Sequence, residues 1–274
     1  MFSNFLSQAK NYIIKSQNEK VKEPFKYFFN REFFDVEIYT ELPSTNDYLK
    51  EVETENEKAV IALSQTKGRG RFQRVFFSPK NQGLYTSVVI KRDLPPEDAF
   101  KITAYAGVVV LDAIKKFTNI DAKIKWVNDV IINGKKVAGI LTETTFDTKK
   151  KCVSKAVVGI GLNLYGDSFD KSIENIATSL EKESGIKVDF LEFALCVYKG
   201  LYKVDEELKS GNFMEKYRAN SCVIGKEVLV SSGSENYSAK VLDILETGEL
   251  KILKNGETKI LNSGEISVKI AERK

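Results

Sequence analysis

Between Lys67 and Arg92 the chain carries seven cations, Lys67, Arg69, Arg71, Arg74, Lys80, Lys91 and Arg92, and no Asp or Glu. The whole 274-residue chain has a formal net charge of only +4, so everything outside this window is net acidic. A local excess of this kind suits a site that receives an anion. Four of the cations and two glycines fall within "TKGRGRFQR", residues 66–74. Glycine lets backbone N–H groups turn toward a ligand, and guanidinium forks match carboxylate or phosphate oxygens in pairs. A solvated basic surface loop explains the same residues equally well. Nucleic-acid contact is a third reading, with Phe72, Phe76 and Phe77 close by, but no nucleic-acid module signature accompanies it.

The chain has no histidine. That excludes Ser-His-Asp and Cys-His catalysis and metal sites built on imidazole. Chemistry must run on Lys, Arg, carboxylates, amides, hydroxyls or a metal carried in with a nucleotide. Cys152, Cys196 and Cys222 are too far apart for a zinc knuckle and fit no disulfide framework, which points to a reducing cytoplasm. No apolar run approaches the ~18 residues of a membrane span. The start, "MFSNFLSQAKNYIIK", lacks the pattern of a secretory signal.

Further candidates are scattered along the chain. "GIGLN", residues 159–163, begins like a dinucleotide fingerprint, but Leu164 stands where the third glycine belongs. No Walker-type Gly-Lys-Ser/Thr occurs. Lys136 lies two residues past an Asn133-Gly134 turn, where spacing alone favours an exposed hairpin lysine. Gly139 inside the same strand allows close approach of a ligand or a neighbouring chain. Ser44, Thr45 and Asn46 suit a helix N-cap, a role compatible with presenting hydroxyl and amide groups to a ligand.

The elements that must position these residues follow from periodicity. Residues 2–14 have the spacing of an amphipathic helix. The aromatic "PFKYFFNREFF" demands burial. "FDVEIYT" reads as a strand, "PSTNDYLKEV" as a turn into a helix, and "KAVIALSQ" and "GLYTSVVIK" as strands flanking the basic loop. Pro95 and Pro96 open a helix through "EDAFKITAYAGVVVLDAIKKF". Asn-Gly between β-branched runs predicts a hairpin at 133–134. "CVSKAVVGIGLNL" is another strand, and helices occupy roughly 187–219. The last fifty residues are short strands broken by Gly, Ser and Asn, which predict a small β-barrel appended to an α/β body. With 42% hydrophobic residues the chain can fill a large core.

In order and spacing these segments resemble the biotin protein ligases: "STN" at 44–46, "GRGR" at 68–71, "FSP" at 77–79, "KWVND" at 125–129, "GKKVAGIL" at 134–141, "GIGLN" at 159–163, and a terminal β segment with "GEIS" at 264–267. The resemblance runs over roughly residues 36–274. It implies an α/β (α+β) fold: a mixed-sheet, class II synthetase-like catalytic domain at 36–221, a C-terminal SH3-like β-barrel at 222–274, and a helical, aromatic extension at 1–35. Two places depart from the family pattern. Val127 replaces the usual proline of the "KWVND" stretch, which loosens the backbone. Phe76 stands where a tryptophan often follows the basic loop.

The resemblance also implies chemistry. Biotin and ATP, with Mg2+, would form biotinyl-5′-adenylate, and a lysine of a biotin carboxyl carrier protein would then take the biotinyl group. Ser44, Thr45, Asn46, Gln65, Arg69, Gly70, Arg71, Lys136 and Gly139 would meet biotin, with Lys136 and Arg71 catalytic. Arg69, Arg74, Phe76, Asn128, Asp129 and Asn163 would face ATP or the adenylate. No protein metal ligand is predicted directly, since Mg2+ would arrive with ATP. A homodimer is compatible with this reading. A lipoate–protein ligase is the rival within the same class, and the polar set Ser44–Asn46 favours the ureido ring of biotin. A repressor role is the rival from another class. The thirty or so residues before the first strand are too few for a winged helix, so sequence-specific DNA is not an expected partner, and neither is a membrane.

Overall fold

The structure, a computed structural model, describes residues 2–18, 21–29, 33–54, 56–96, 98–167, 169–232, 235–262 and 266–270. The helical spacing at the N-terminus folds as α1 (Phe2–Asn18), which buries Phe5 and Ala9. The aromatic segment after it forms the short strand β1 (Phe25–Tyr27) and sends Phe29, Phe33 and Phe34 into the core beside Phe5. Then follow β2 (Asp35–Tyr39), α2 (Thr45–Glu51), β3 (Lys58–Ala62), β4 (Gly83–Ile90) and α3 (Asp98–Thr118). A curled pair, β5 (Lys123–Lys125) and β6 (Asp129–Ile132), leads through the Asn133-Gly134 turn into the long strands β7 (Lys135–Asp147) and β8 (Cys152–Asn163). Both turn residues have positive φ, 50° and 79°, as a tight hairpin of this kind requires. The short helix α4 (Leu180–Ser184) precedes the helical region α5 (Phe190–Leu201), α6 (Val204–Ser210) and α7 (Asn212–Ala219).

The strands β1 to β8 form one eight-stranded sheet in the order β1-β2-β3-β4-β8-β7-β6-β5. It is mixed as expected: β2 and β3 run parallel and every other neighbouring pair is antiparallel. Helix α3 packs against one face and is itself covered by α5, α6 and α7. That sandwich explains why "AYAGVVVLDAI" is apolar almost all round rather than on one stripe. The opposite face carries α2, packed on β3, β4 and β8 over a small cluster of Leu49, Val60, Val89 and Val157. Much of this second face is left uncovered, and the candidate site lies there.

The expected C-terminal barrel is not formed. Strands β9 (Glu227–Ser232), β10 (Glu235–Ile244), β11 (Leu250–Lys254), β12 (Glu257–Leu261) and β13 (Ile266–Ile270) make an open antiparallel sheet in the order β12-β11-β10-β9-β13. Closure requires the two end strands to pair, and among the described residues no pairing joins β12 to β13. Four of the five β12 residues are exposed. Short strands punctuated by Gly and Asn specify hairpins, whereas closure depends on tilt and stagger that this pattern does not encode. The buried side of the sheet, with Val228, Val230, Val241, Leu250 and Ile252, joins the main core. Trp126 fastens the β10–β11 turn to the body, its indole N–H donating to the Gly248 carbonyl at 3.0 Å.

Candidate functional site

The uncovered face of the sheet holds a cavity of about 1180 Å³, larger than an ordinary single-ligand pocket of about 300–1,000 Å³. Every residue that the sequence reading assigned to the ligands lines it: Ser44, Thr45, Asn46, Gln65, Arg69, Gly70, Arg71, Arg74, Phe76, Asn128, Asp129, Lys136, Gly139 and Asn163. They come from six separate stretches of the chain and meet because the two long strands and α2 converge on this face.

One wall is neutral and polar. Ser44 caps α2, its hydroxyl accepting from the Asp47 amide at 3.3 Å. The cap turns Thr45 and Asn46 inward, where both are buried. The Thr45 amide donates to Gln65 Oε1 at 2.9 Å, and Gln65 Nε2 donates to Ser78 Oγ at 3.0 Å. The buried Ser87 hydroxyl lies 2.7 Å from Thr45 Oγ1 and 2.6 Å from Asn46 Oδ1. Asn46 Nδ2 donates to the Leu141 carbonyl and to Glu143 Oε2 at 3.1 and 2.9 Å. These bonds fix which way the Asn46 amide faces.

The floor is made of glycine. Gly139 and Gly161 pair across β7 and β8, and Gly159 follows two residues from Gly161 on the same face. A Cβ at Gly159 would stand 2.1 Å from Asn46 Oδ1, and one at Gly161 would stand 2.5 Å from the Phe76 ring. "GIGLN" is thus the last stretch of a strand, β8, that must lie flat beneath Asn46 and Phe76. A dinucleotide fingerprint needs those glycines at a strand-to-helix turn instead.

The other wall is charged. Lys136 leaves the hairpin toward the cavity, its Nζ 2.6 Å from Asp129 Oδ1 and 5.6 Å from the centre of the Phe76 ring. Its backbone is held by the segment before α4: Lys136 N donates to the Ile176 carbonyl at 2.8 Å, and Thr178 N donates to the Lys136 carbonyl at 2.9 Å. The lysine is part-buried at the cavity rim, with its side chain 33% exposed. Arg71 is also part-buried. Burial pushes its guanidinium pKa down and neighbouring Arg74 adds to this, while Asp129 opposes both. An arginine remains charged through such shifts. Asn128 and Asn163 lie at the edge, where Asn128 Nδ2 donates to the Ile140 carbonyl at 2.8 Å and Asn163 Nδ2 to the Thr178 carbonyl at 3.0 Å. The Trp126–Val127 peptide, beside Asn128, is cis.

The basic loop folds as a narrow hairpin over the cavity. Arg69 pairs with Val75, Phe76 N donates to the Gly68 carbonyl at 2.9 Å, and Gly70 N donates to the Arg74 carbonyl at 2.7 Å. At its tip Phe72 and Gln73 both take positive φ, 55° and 59°. Arg69 Nη2 reaches Asp47 and lies 3.0 Å from Glu143 Oε2, while its Nε is buried with no hydrogen-bond partner among the described residues. Burial raises the pKa of Glu143, but hydrogen bonds from Asn46 and Lys50 and the charge of Arg69 outweigh it and hold the carboxyl below its ordinary value.

Sequence reasoning missed Ser87, Asp47, Glu143 and the 169–177 segment. Ser87 had a signal, since with Thr86 it puts a hydroxyl pair into the middle of a wholly buried strand. Asp47 and Glu143 are 96 residues apart and become neighbours only when α2 crosses β7. No group of three or more His, Cys, Asp or Glu side chains suited to a metal occurs among the described residues. The carboxylate of Asp129, beside Asn128 in the cavity wall, fits Mg2+, which is commonly held by one or two carboxylates together with substrate phosphates.

Residues 39–163 match the biotin/lipoate A/B protein ligase family. The chain is 30% identical over 183 residues to the biotin–[acetyl-CoA-carboxylase] ligase of Paracoccus denitrificans, covering 64% of this chain and 75% of that one. The chain belongs to the biotin protein ligases. Among solved structures, the biotin protein ligase of Aquifex aeolicus in complex with biotin and ATP superposes with a TM-score of 0.76 at 30% identity, covering 86% of this chain and 99% of that one. The bifunctional ligase/repressor BirA of Bacillus spizizenii is 39% identical over 132 residues, 47% of this chain. Only 40% of that bifunctional ligase's own length is matched. For a biotin protein ligase, the two walls and the glycine floor divide into a neutral half and a charged half.

Proposed function

We propose that the protein is an ATP-dependent ligase that activates biotin as biotinyl-5′-adenylate and transfers the biotinyl group to a lysine of a biotin carboxyl carrier protein. The observation that carries this reading is the division of one cavity. A neutral, hydrogen-bonding wall of buried Thr45 and Asn46 and part-buried Gln65, backed by the buried Ser87 hydroxyl, faces a cationic wall (Lys136, Arg71) across a floor of three glycines. A ureido ring needs the first and two anions brought together need the second. The Aquifex likeness supports the assignment of both ligands.

In the first half-reaction the biotin carboxylate attacks the α-phosphorus of ATP. A C–O–P linkage forms, the α–β phosphoanhydride bond breaks, and pyrophosphate leaves. The carboxylate is ionised at neutral pH and is itself the nucleophile, so the absence of histidine costs nothing. Lys136 would lie between carboxylate and α-phosphate, offsetting their repulsion and the charge that grows at phosphorus. Arg71 would close over the same oxygens, Arg69 Nε would donate to a ligand acceptor, and Gly70 would let the backbone approach. Arg74, Asn128, Asp129 and Asn163 would face the nucleotide, with Phe76 against its base. Mg2+, entering with ATP and held at Asp129, would neutralise phosphate charge. In the second half-reaction a neutral lysine amine attacks the acyl carbon, a C–N bond forms as the acyl C–O bond to phosphate breaks, AMP leaves and the amine proton is lost to solvent. The adenylate is prone to hydrolysis, and the loop would exclude water from it.

No helix among the described residues is long and apolar enough to cross a membrane. Three cysteines without disulfide partners favour a reducing cytoplasm. Pyrophosphate release with biotin and with lipoate in parallel tests the substrate. Release with biotin alone is expected, and preference for lipoate would replace this reading with the lipoate ligase.

A further inference from the structure

We propose that Asp47 and Glu143 are positioning residues that act through Arg69 and divide the arginine loop into a fixed root and a swinging tip. The inference rests on the ligase reading for its kinetic test but not for its structural one. The root is tied down at its backbone. Thr66 N donates to the Leu42 carbonyl at 3.1 Å and Lys67 N to the Pro43 carbonyl at 2.8 Å, joining the loop to the residues just before Ser44. The two loop glycines sit in opposite surroundings. A Cβ at Gly68 would stand 2.4 Å from the Phe76 carbonyl oxygen and 2.7 Å from Ser78 Oγ, so the chain is wedged there. A Cβ at Gly70 would meet only the Arg74 carbonyl oxygen, at 3.6 Å. Freedom to swing therefore begins at Gly70, immediately after Arg69.

Arg69 marks the boundary because two carboxylates hold it. Asp47 comes from the first turn of α2 and Glu143 from β7, and Arg69 Nη2 touches both. Lys50 sits 2.9 Å from Glu143 and 3.5 Å from Asp47, so the acidic pair faces two cations. Glu143 also receives the Asn46 amide at 2.9 Å. One carboxylate thus ties the loop to the neutral wall of the cavity. With Nη2 held, the buried Nε–H is fixed in direction, a preorganised donor rather than one of many rotamers of a long side chain. Neither acid needs to touch a ligand for this.

A double-mutant cycle tests the proposal. Asp47→Asn and Glu143→Gln keep size and an acceptor oxygen but remove charge. Each is made in the wild-type protein and with Arg69→Gln, and biotin KM, kcat and the escape of adenylate into solution are measured. In the wild-type background we expect KM and adenylate escape to rise about tenfold, the size of one charge-assisted contact, with kcat less affected. In the Arg69→Gln background we expect no further change. Equal fold-changes in both backgrounds, or none in either, overturn the proposal. Amide hydrogen exchange of the ligand-free protein is the second readout. Thr66 and Lys67 should exchange slowly and residues 71–75 fast, and Asp47→Asn with Glu143→Gln should speed exchange at Lys67. Uniform exchange across 66–75 overturns the division into root and tip even if the wild-type chain were to make no adenylate, an outcome that would sink the ligase reading separately.

Discussion

Replacing Lys136 by Gln separates a reacting cation from a merely structural one. Gln retains most of the stem and some hydrogen bonding but loses the charge. In the structure Nζ lies 2.6 Å from Asp129 Oδ1, with the two side chains 33% and 26% exposed. A pair this open to solvent contributes about 1 kcal/mol or less to stability. The kinetic cost is larger. A preorganised electrostatic donor at a developing charge is worth on the order of 10²–10³ in rate, or about 2.7–4 kcal/mol. Single-turnover pyrophosphate release, with thermal unfolding run on the same samples, reads both quantities. The expected outcome is a rate at least about a hundredfold down with stability nearly unchanged. A mutant rate within a few-fold of wild type would refute the reasoning and leave Lys136 as an ion-pair partner of Asp129.

Other outcomes follow from the same geometry. Arg71→Gly should release more adenylate into solution than wild type while slowing its synthesis less, as measured by trapping the free adenylate; equal release removes Arg71 from the lid. Gly159→Ala places a Cβ 2.1 Å from Asn46 Oδ1, so the Asn46 amide must leave Ser87, and calorimetric biotin affinity should fall by roughly tenfold or more. Because the Glu143 pKa lies below its ordinary value of 4.5, its contribution to stability is present above that pH and is lost as pH falls through the lowered value; the fall in Tm between pH 5 and 3 should be smaller in Glu143→Gln than in wild type. Duplex DNA should bind weakly and without sequence preference at ~0.15 M salt, where purely electrostatic binding has weakened; a salt-resistant, sequence-dependent complex in a titration contradicts that.

Much of the fold was legible because its signals are local. Asn133-Gly134 between β-branched runs predicted the hairpin, the Ser44–Asn46 triplet predicted a cap for α2 that falls on Ser44, and Pro95-Pro96 marked the helix α3. The open C-terminal sheet was not legible, since strand length and turn residues say nothing about whether β12 meets β13. The candidate site was legible in its motifs and not in its supports. Arg69 stands out in a dense run of cations, while Lys136 and Asn46 are picked out only by their place in the family motifs. The groups that orient them, Glu143, Asp47 and Ser87, are ordinary residues of a strand, a helix and a strand, and only the crossing of α2 over β4, β7 and β8 brings them together. The same holds for Gly159 and Gly161, whose strand was legible but whose place as the floor under Asn46 and Phe76 was not.

The central claim is that this chain joins biotin to a protein lysine through an adenylate. Incubation of the purified protein with ATP, Mg2+, biotin and a biotin carboxyl carrier domain, read by intact-mass spectrometry, tests it most directly. The account predicts that the carrier gains the mass of one biotinyl group, only when ATP and biotin are both present, and not when its acceptor lysine is replaced. A carrier of unchanged mass, alongside a competent ligase control that modifies it, would contradict the account.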